Sequence, residues 1–268
     1  MKKLTIFLLL VLTLFILSGC GKKNNQDVQN KVNELDTYKV KYVPYFYETF
    51  KEQDVSAQRT FEFQGRKYET TYIQSYNYGY NDMTTHEYKC SEKIGDNYIH
   101  CAFQVIDDTD KLYWEQANYT EQTSEEDELN KQEITNIIND YASQYISVDE
   151  YETIITEHIE FYSAEFFKEY GEYKAFRYLT INCNKKGVIE LVIKEPILEL
   201  DNQYIIKKIE SFDNSKSLEL VEKEVVKQTG KKAKNIYEQY ITAINGELVM
   251  RYSVITDQDE LVAVLVTW

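Results

Sequence analysis

From Tyr38 to Tyr119 apolar and polar residues alternate with period two, and turn residues interrupt the runs, which predicts mostly β structure. "TFEFQ" and "KYETTYIQSY" flank Gly65 as the two arms of a hairpin. The stretch "HEYKCSEKIGDNYIHCAFQVI" predicts the next one. A two-residue turn at Gly95-Asp96 makes Ile94 face Asn97 and Cys90 face Cys101. The same register puts Tyr88, Cys90, Ile99, Cys101, Phe103 and Val105 on one face. Glu87, Lys89, Ser91, Lys93, His100 and Gln104 take the other. The separation of apolar from polar and the alignment of the cysteines are independent signals, and they select one register.

Beyond Tyr119 the period changes. Ser124-Glu-Glu-Asp127 carries a capping-box pattern, and Ile134, Ile137, Ile138, Tyr141, Ala142 and Tyr145 recur at helical spacing. Ser147-Val-Asp-Glu150 repeats the cap signature and predicts a second, shorter helix. "HIEFYSAEFFKEY" fits either its continuation to Gly171 or a strand. "EYKAFRYLTINCN" and "GVIELVIK" flank a turn at Asn184-Lys-Lys-Gly187. "QYIIKKIESF" is expected as a strand, and "SLELVEKEVVKQTG" as a helix ending on Gly230. "NIYEQYITAI", the turn Asn245-Gly246, "ELVMRYSVI", a turn near Asp257 and "ELVAVLVTW" predict a closing meander, Asn-Gly being the strongest short-range hairpin cue. The expected class is α+β: antiparallel sheets and β-meanders with a few packed helices. A helix followed by three strands is read twice, at about 125–211 and 216–268, without convincing residue identity between the copies.

The first residues are of another kind. Lys2 and Lys3 precede an apolar stretch from Leu4 to Leu17, followed by Ser18-Gly19-Cys20, the three zones of a secretory signal peptide. The stretch is shorter than the ~20 residues a helix needs to cross the hydrocarbon core. Leu17-Ser18-Gly19-Cys20 resembles the lipobox of bacterial lipoproteins. The resemblance implies cleavage before Cys20, whose sulfur carries a diacylglyceryl thioether, and a cell-membrane location on the extracytoplasmic face. Several acyl chains hold a protein stably where one holds it marginally. Low histidine and glycine, with Lys/Asn-rich usage, fit a Gram-positive cell. The organisation expected is a signal peptide at 1–19, a lipidated N-terminus and tether at 20–35, a β-rich part at 36–119 and an α+β part at 120–268. The last two form either one continuous domain or two. The polar tether, read as a coil over Gly21–Glu34, spans about 20 Å between its ends.

Charge narrows the partners. The formal charge is −15, and residues 1–19 remove two lysines and no acid. The mature chain therefore has no electrostatic reason to hold nucleic acid or an anionic membrane surface. Acidity fits solubility outside the cell, basic peptides or divalent cations. Twenty-four tyrosines, with many Val, Ile and Thr, lean the fold toward strands.

Candidate chemistry is sparse. No G-x-S-x-G elbow, S-x-x-K, phosphate loop or dinucleotide fingerprint occurs, and no cofactor is implied. His86, His100 and His158 lie in no metalloprotease pattern. His100 faces Ser91 in the hairpin register, without an orienting acid. Asp107-Asp108-Thr109-Asp110 and Asp257-Gln-Asp259-Glu260 are acidic turns lacking the full calcium-loop pattern, so no metal site is assigned. Cys90 and Cys101, opposed on neighbouring strands outside the cell, predict a disulfide, and Cys183 a core position. In "TYIQSYNYGYND", Tyr72, Tyr76, Tyr78 and Tyr80 share one face if the segment is extended, a candidate platform for peptide or sugar. The reading that follows is a non-catalytic binding module for a peptide, a glycan or a membrane-protein partner. The alternative is a carboxylate-dependent hydrolase of cell-wall or glycan polymers. A deep cleft with two inward carboxylates favours the enzyme; an aromatic groove or exposed sheet edge favours the binder.

Overall fold

The computed structural model describes residues 38–43, 47–78, 83–94, 97–107, 109–119 and 128–268. Residues 40–266 form one compact unit. The segment expected as a signal peptide, Cys20, the segment expected as a tether, Tyr80, the expected Gly95-Asp96 turn and Ser124–Asp127 lie outside the described residues.

Antiparallel sheet dominates. The strands are β1 (Lys39–Val43), β2 (Tyr47–Phe50), β3 (Gln58–Phe63), β4 (Arg66–Tyr78), β5 (Met83–Ile94), β6 (Asn97–Ile106), β7 (Leu112–Tyr119), β8 (Glu152–Glu157), β9 (Phe161–Phe167), β10 (Glu169–Tyr170), β11 (Tyr173–Ala175), β12 (Leu179–Asn184), β13 (Ile189–Lys194), β14 (Ala233–Ile244), β15 (Glu247–Thr256) and β16 (Leu261–Thr267). Among the described residues the helices are α1 (Lys131–Ala142), α2 (Asn202–Glu210) and α3 (Asn214–Thr229). A ten-stranded sheet runs β2-β4-β5-β6-β7-β13-β12-β9-β8, with β3 also paired to β4. Because β7 pairs with β13, this sheet joins residues before and after position 120. A six-stranded sheet runs β1-β16-β15-β14-β11-β10, with β11 and β14 parallel.

Strand alternation gives the ten-stranded sheet two faces. One carries Phe61, Phe63, Tyr68, Tyr88, Phe103 and Val105 into a core closed by α1. Asn130 starts α1 with a capping box: its side chain accepts from the backbone of Gln132 and Glu133, and Glu133 reaches back to the Asn130 N–H. Ile134, Ile138 and Ala142, one turn apart, are fully buried. Gly187 lies under this helix with φ +84°, and an added Cβ would stand 2.9 Å from Ile137 Cδ1. A left-handed turn and a helix packed against it both require glycine there.

The β5–β6 register places Cys90 opposite Cys101, and the two form a disulfide with Cα atoms 5.2 Å apart. Gln64 and Gly65, both at positive φ, make the β3–β4 turn. In the closing meander Tyr252 donates to Ser217 of α3 (2.8 Å), and Val221 and Val225 of α3 are fully buried.

Four expectations are corrected. "QYIIKKIESF" is helix α2, not a strand. Asp201 caps it by accepting from the Tyr204 N–H (3.0 Å), and the adjacent Ile205-Ile206 splits, one buried and one exposed. Helix-then-three-strands therefore does not recur. Ser147 leads only into a 3₁₀ turn, Val148–Glu150, and the chain after it becomes β8 and β9. Finally, Glu87 and Gln104, assigned to the polar face of the β5–β6 hairpin, are buried there, bonded to Tyr76 and Tyr78.

Candidate functional site

The second face of the ten-stranded sheet supplies one wall of a cleft of about 440 Å³; the six-stranded sheet supplies the other. Trp114 of β7, Thr180 of β12 and Ile193 of β13 share that first wall because they lie side by side in register. Glu238 and Tyr240 of β14 and Arg251 of β15 form the opposite wall. Phe176 and Arg177, between β11 and β12, close it where the chain passes from one sheet to the other. The Phe176 N–H donates to the Ile241 carbonyl (2.8 Å), holding this crossing segment on β14.

The aromatic and cationic groups are layered. Phe176 stacks on Tyr240, ring centres 4.5 Å apart. The Arg177 guanidinium lies 4.5 Å from the Phe176 ring centre and 2.9 Å from Glu165. Arg251, directly opposite Tyr240 in the ladder and only 3% exposed, lies 5.2 Å from that ring. Such cation–ring contacts fix a guanidinium in place and leave its edge for hydrogen bonds.

One carboxyl sits inside. Glu195 follows β13, its N–H donates to the Tyr178 carbonyl (3.1 Å), and Pro196 turns the chain away into a 3₁₀ segment, Pro196–Glu199. It is 6% exposed. Burial pushes its pKa up to about 7, against the downward pull of Arg177 and Arg251, so desolvation wins. At neutral pH this group exists both as donor and as anion. Glu238, on the same lining, is exposed.

The tyrosine stripe is only partly brought together. A bulge between Tyr72 and Gln74 reverses the alternation of β4. Tyr72 therefore points to the α1 side, 5.8 Å from the Tyr88 ring, and the expectation of one shared face fails for it. Tyr76 and Tyr78 remain together on the cleft side, stacked at 5.8 Å. Tyr78 meets Tyr113, a cleft residue, edge-on at 6.1 Å. An aromatic line thus leads from the half-exposed Tyr76 to the cleft.

Other candidates stand apart. Ser91 and His100 are hydrogen-bonded (2.8 Å) on an exposed surface. A tighter chain, not foreseen from the sequence, links Ser75 to His86 (2.8 Å) and His86 to Asp107 (2.9 Å). Ser75 is fully buried and also contacts the Tyr72 hydroxyl (2.8 Å), so nothing can approach its oxygen as a nucleophile requires. The chain ties β4, β5 and the turn after β6 together. Asp110 pairs with Arg59 (2.5 Å), Asp259 with Lys234 (2.6 Å) and Glu260 with Lys231, so both acidic turns are engaged by cations of the chain. Cys183 is buried, its thiol pushed up to about 12 by desolvation and by Glu190.

A second cavity of about 490 Å³ lies on the α1 side of the sheet, lined by Glu62, Gln64, Glu115, Tyr141 and Tyr145 among others. Lys194 pairs with Glu115 and also lies 5.0 Å from the centre of the Tyr145 ring.

Arg177, Glu195 and Arg251 were not singled out from the sequence. One signal was there: Arg251 interrupts "LVMRYSV", and a charge in an otherwise apolar strand implies a buried partner or a ligand. Compared with known protein families, curated proteins and solved structures, the chain matches none of them.

Proposed function

We propose that the chain is a lipid-anchored binding module on the outer face of the cytoplasmic membrane, and that it takes its ligand in the cleft between the two sheets without transforming it. The observation that carries the reading is the aromatic line Tyr76–Tyr78–Tyr113, which continues into a cleft walled by Trp114, Phe176 and Tyr240. Rigid rings with polar tips bind at low entropic cost, and a concave, mostly apolar pocket with a few polar groups is the usual form of a ligand site. The anchor rests on the lipobox resemblance: Cys20→Ala should release the protein or leave a precursor, whereas a variant still processed and membrane-bound overturns it. The binding reading is tested by co-sedimentation with purified cell-wall polymer. Trp114→Ala should lose retention while melting as the parent does, and unchanged retention would contradict the cleft as the seat.

Glu195 favours one further reading. A buried carboxyl with its pKa pushed up to about 7 on the same lining as an exposed Glu238 fits the division of labour that a glycoside hydrolase uses. Release of reducing ends from wall polymer, abolished by Glu195→Gln, would replace the binding module with that enzyme.

A further inference from the structure

The ten-stranded sheet ends in β8, and among the described residues β8 pairs with β9 alone. Five of its six residues are exposed, so the side away from β9 is open. The His158 N–H donates to the Phe161 carbonyl (2.8 Å), which closes the β8–β9 hairpin and sets its phase. Hydrogen bonding alternates along an antiparallel ladder, so Glu152, Ile154 and Thr156 direct their backbone groups to β9. Thr153, Ile155 and Glu157 direct theirs to the open side.

An open edge ordinarily carries a device against further pairing: a lysine, a proline, a bulge or short length. β10 is two residues long, and β14, whose pairing with β11 begins at Tyr240, has register shifts at Ala233/Asn235 and Ile236/Glu238. β8 has none of these. It keeps unbroken register with β9, and Ile154 at its centre is 45% exposed. The β-branched run Thr153–Thr156 suits cross-strand contact with side chains of the same kind. Its remaining guard is acid. Glu152 and Glu157 end the strand, and Asp149, Glu150 and Glu160 flank it, all exposed. Lys168 pairs with Glu150 (3.2 Å), and Lys185 is shared between Glu157 (3.6 Å) and Glu128 (3.7 Å). Lys174 lies over the Phe167 ring at 3.9 Å. The acids stay in excess, in a chain of formal charge −15. A second copy adding edge to edge would set these carboxylates against their like, whereas a basic strand meets a complementary field.

We propose that the β8 edge takes up an extended basic segment of a partner polypeptide as an added strand, on a surface separate from the cleft. Fluorescence anisotropy of a labelled octapeptide, Lys-Lys-Val-Thr-Val-Thr-Lys-Lys, with the full chain in nonionic micelles tests this. The peptide should bind, and its counterpart with glutamates in place of the lysines should bind at least about tenfold more weakly. Methylating the four central amide nitrogens keeps the charge and removes the donors, so it should abolish binding. Thr153→Pro deletes one outward N–H and spares the ladder to β9; it should weaken binding about tenfold at an unchanged melting temperature, as Thr153→Val should not. Equal binding of the lysine and glutamate peptides overturns the basic partner. Retained binding of the methylated peptide overturns strand addition, whether or not the proline variant folds. Absence of binding by any peptide overturns the proposal, and a dimer that Thr153→Pro dissociates would assign the edge to a second copy instead.

Discussion

Strands β7 and β13 serve two cavities at once. Trp114 and Ile193 face the cleft between the sheets; Glu115 on β7 and Lys194 on β13 face the cavity beside α1. Each cavity therefore has a buried carboxyl at the same sheet, one residue out of phase. On the α1 side Glu115 meets its own lysine directly, and Tyr145 covers that cation. In the cleft Glu195 feels the field of two guanidiniums, one of them itself paired with Glu165, and desolvation pushes its pKa up to about 7. The first arrangement is internally neutralised and holds the fold. The second holds its carboxyl by desolvation against two guanidiniums, and on the binding reading proposed above that difference separates a structural cavity from a ligand site.

The comparison is broken most severely by removing the lysine. Lys194→Met leaves Glu115 buried without its cation and should cost about 4 kcal/mol, read as a large drop in melting temperature; an unchanged melting temperature would contradict the structural role. On the same face, the Cys90–Cys101 bridge closes a short loop, worth about 3 kcal/mol in the chain-entropy account. Reduction should lower the melting temperature and leave ligand affinity in the cleft unchanged. Thiol titration of the denatured, unreduced domain should count Cys183 alone, and a count that includes Cys90 and Cys101 removes the bridge.

Glu195 sharpens the contrast through pH. Its pKa is about 7 in the fold against 4.5 for an unperturbed carboxyl, so the fold holds a proton that the unfolded chain gives up. Stability is therefore full below about pH 4.5, falls as pH rises toward 7 and levels off above it. The total loss is on the order of 3 kcal/mol. Glu195→Gln should remove that slope, gaining on the parent at pH 8 but not at pH 4. A parent–variant difference constant across this range, measured by denaturant unfolding, would show that burial does not govern the group. The smallest effect is expected at the aromatic line. Tyr78→Phe deletes the hydroxyl bond to Gln104 (3.0 Å) and should cost about 1 kcal/mol, with the ring and the ligand affinity kept.

What the sequence revealed follows the range of the interactions. The Cys90–Cys101 register and the closing meander were legible because alternation, turn residues and pairing are all local there. α2 was misread because Ile205-Ile206 satisfies a strand pattern, and the Asp201 cap outweighs it only once the helix forms. The bulge after Tyr72 adds no distinctive residue, yet it turns one tyrosine of the stripe to the opposite face. The cleft was invisible for a deeper reason. Trp114, Arg177, Glu195 and Arg251 come from four separate segments and meet only through the approach of two sheets. No local period encodes that approach.

The most direct test of the cleft as ligand seat is a chemical-shift titration of the full chain in detergent micelles with soluble wall fragments. The account predicts that the Trp114 indole N–H and the Arg177 and Arg251 guanidinium signals move first and saturate together. Shifts confined to residues 62–65 and 141–145, around the cavity beside α1, would contradict it.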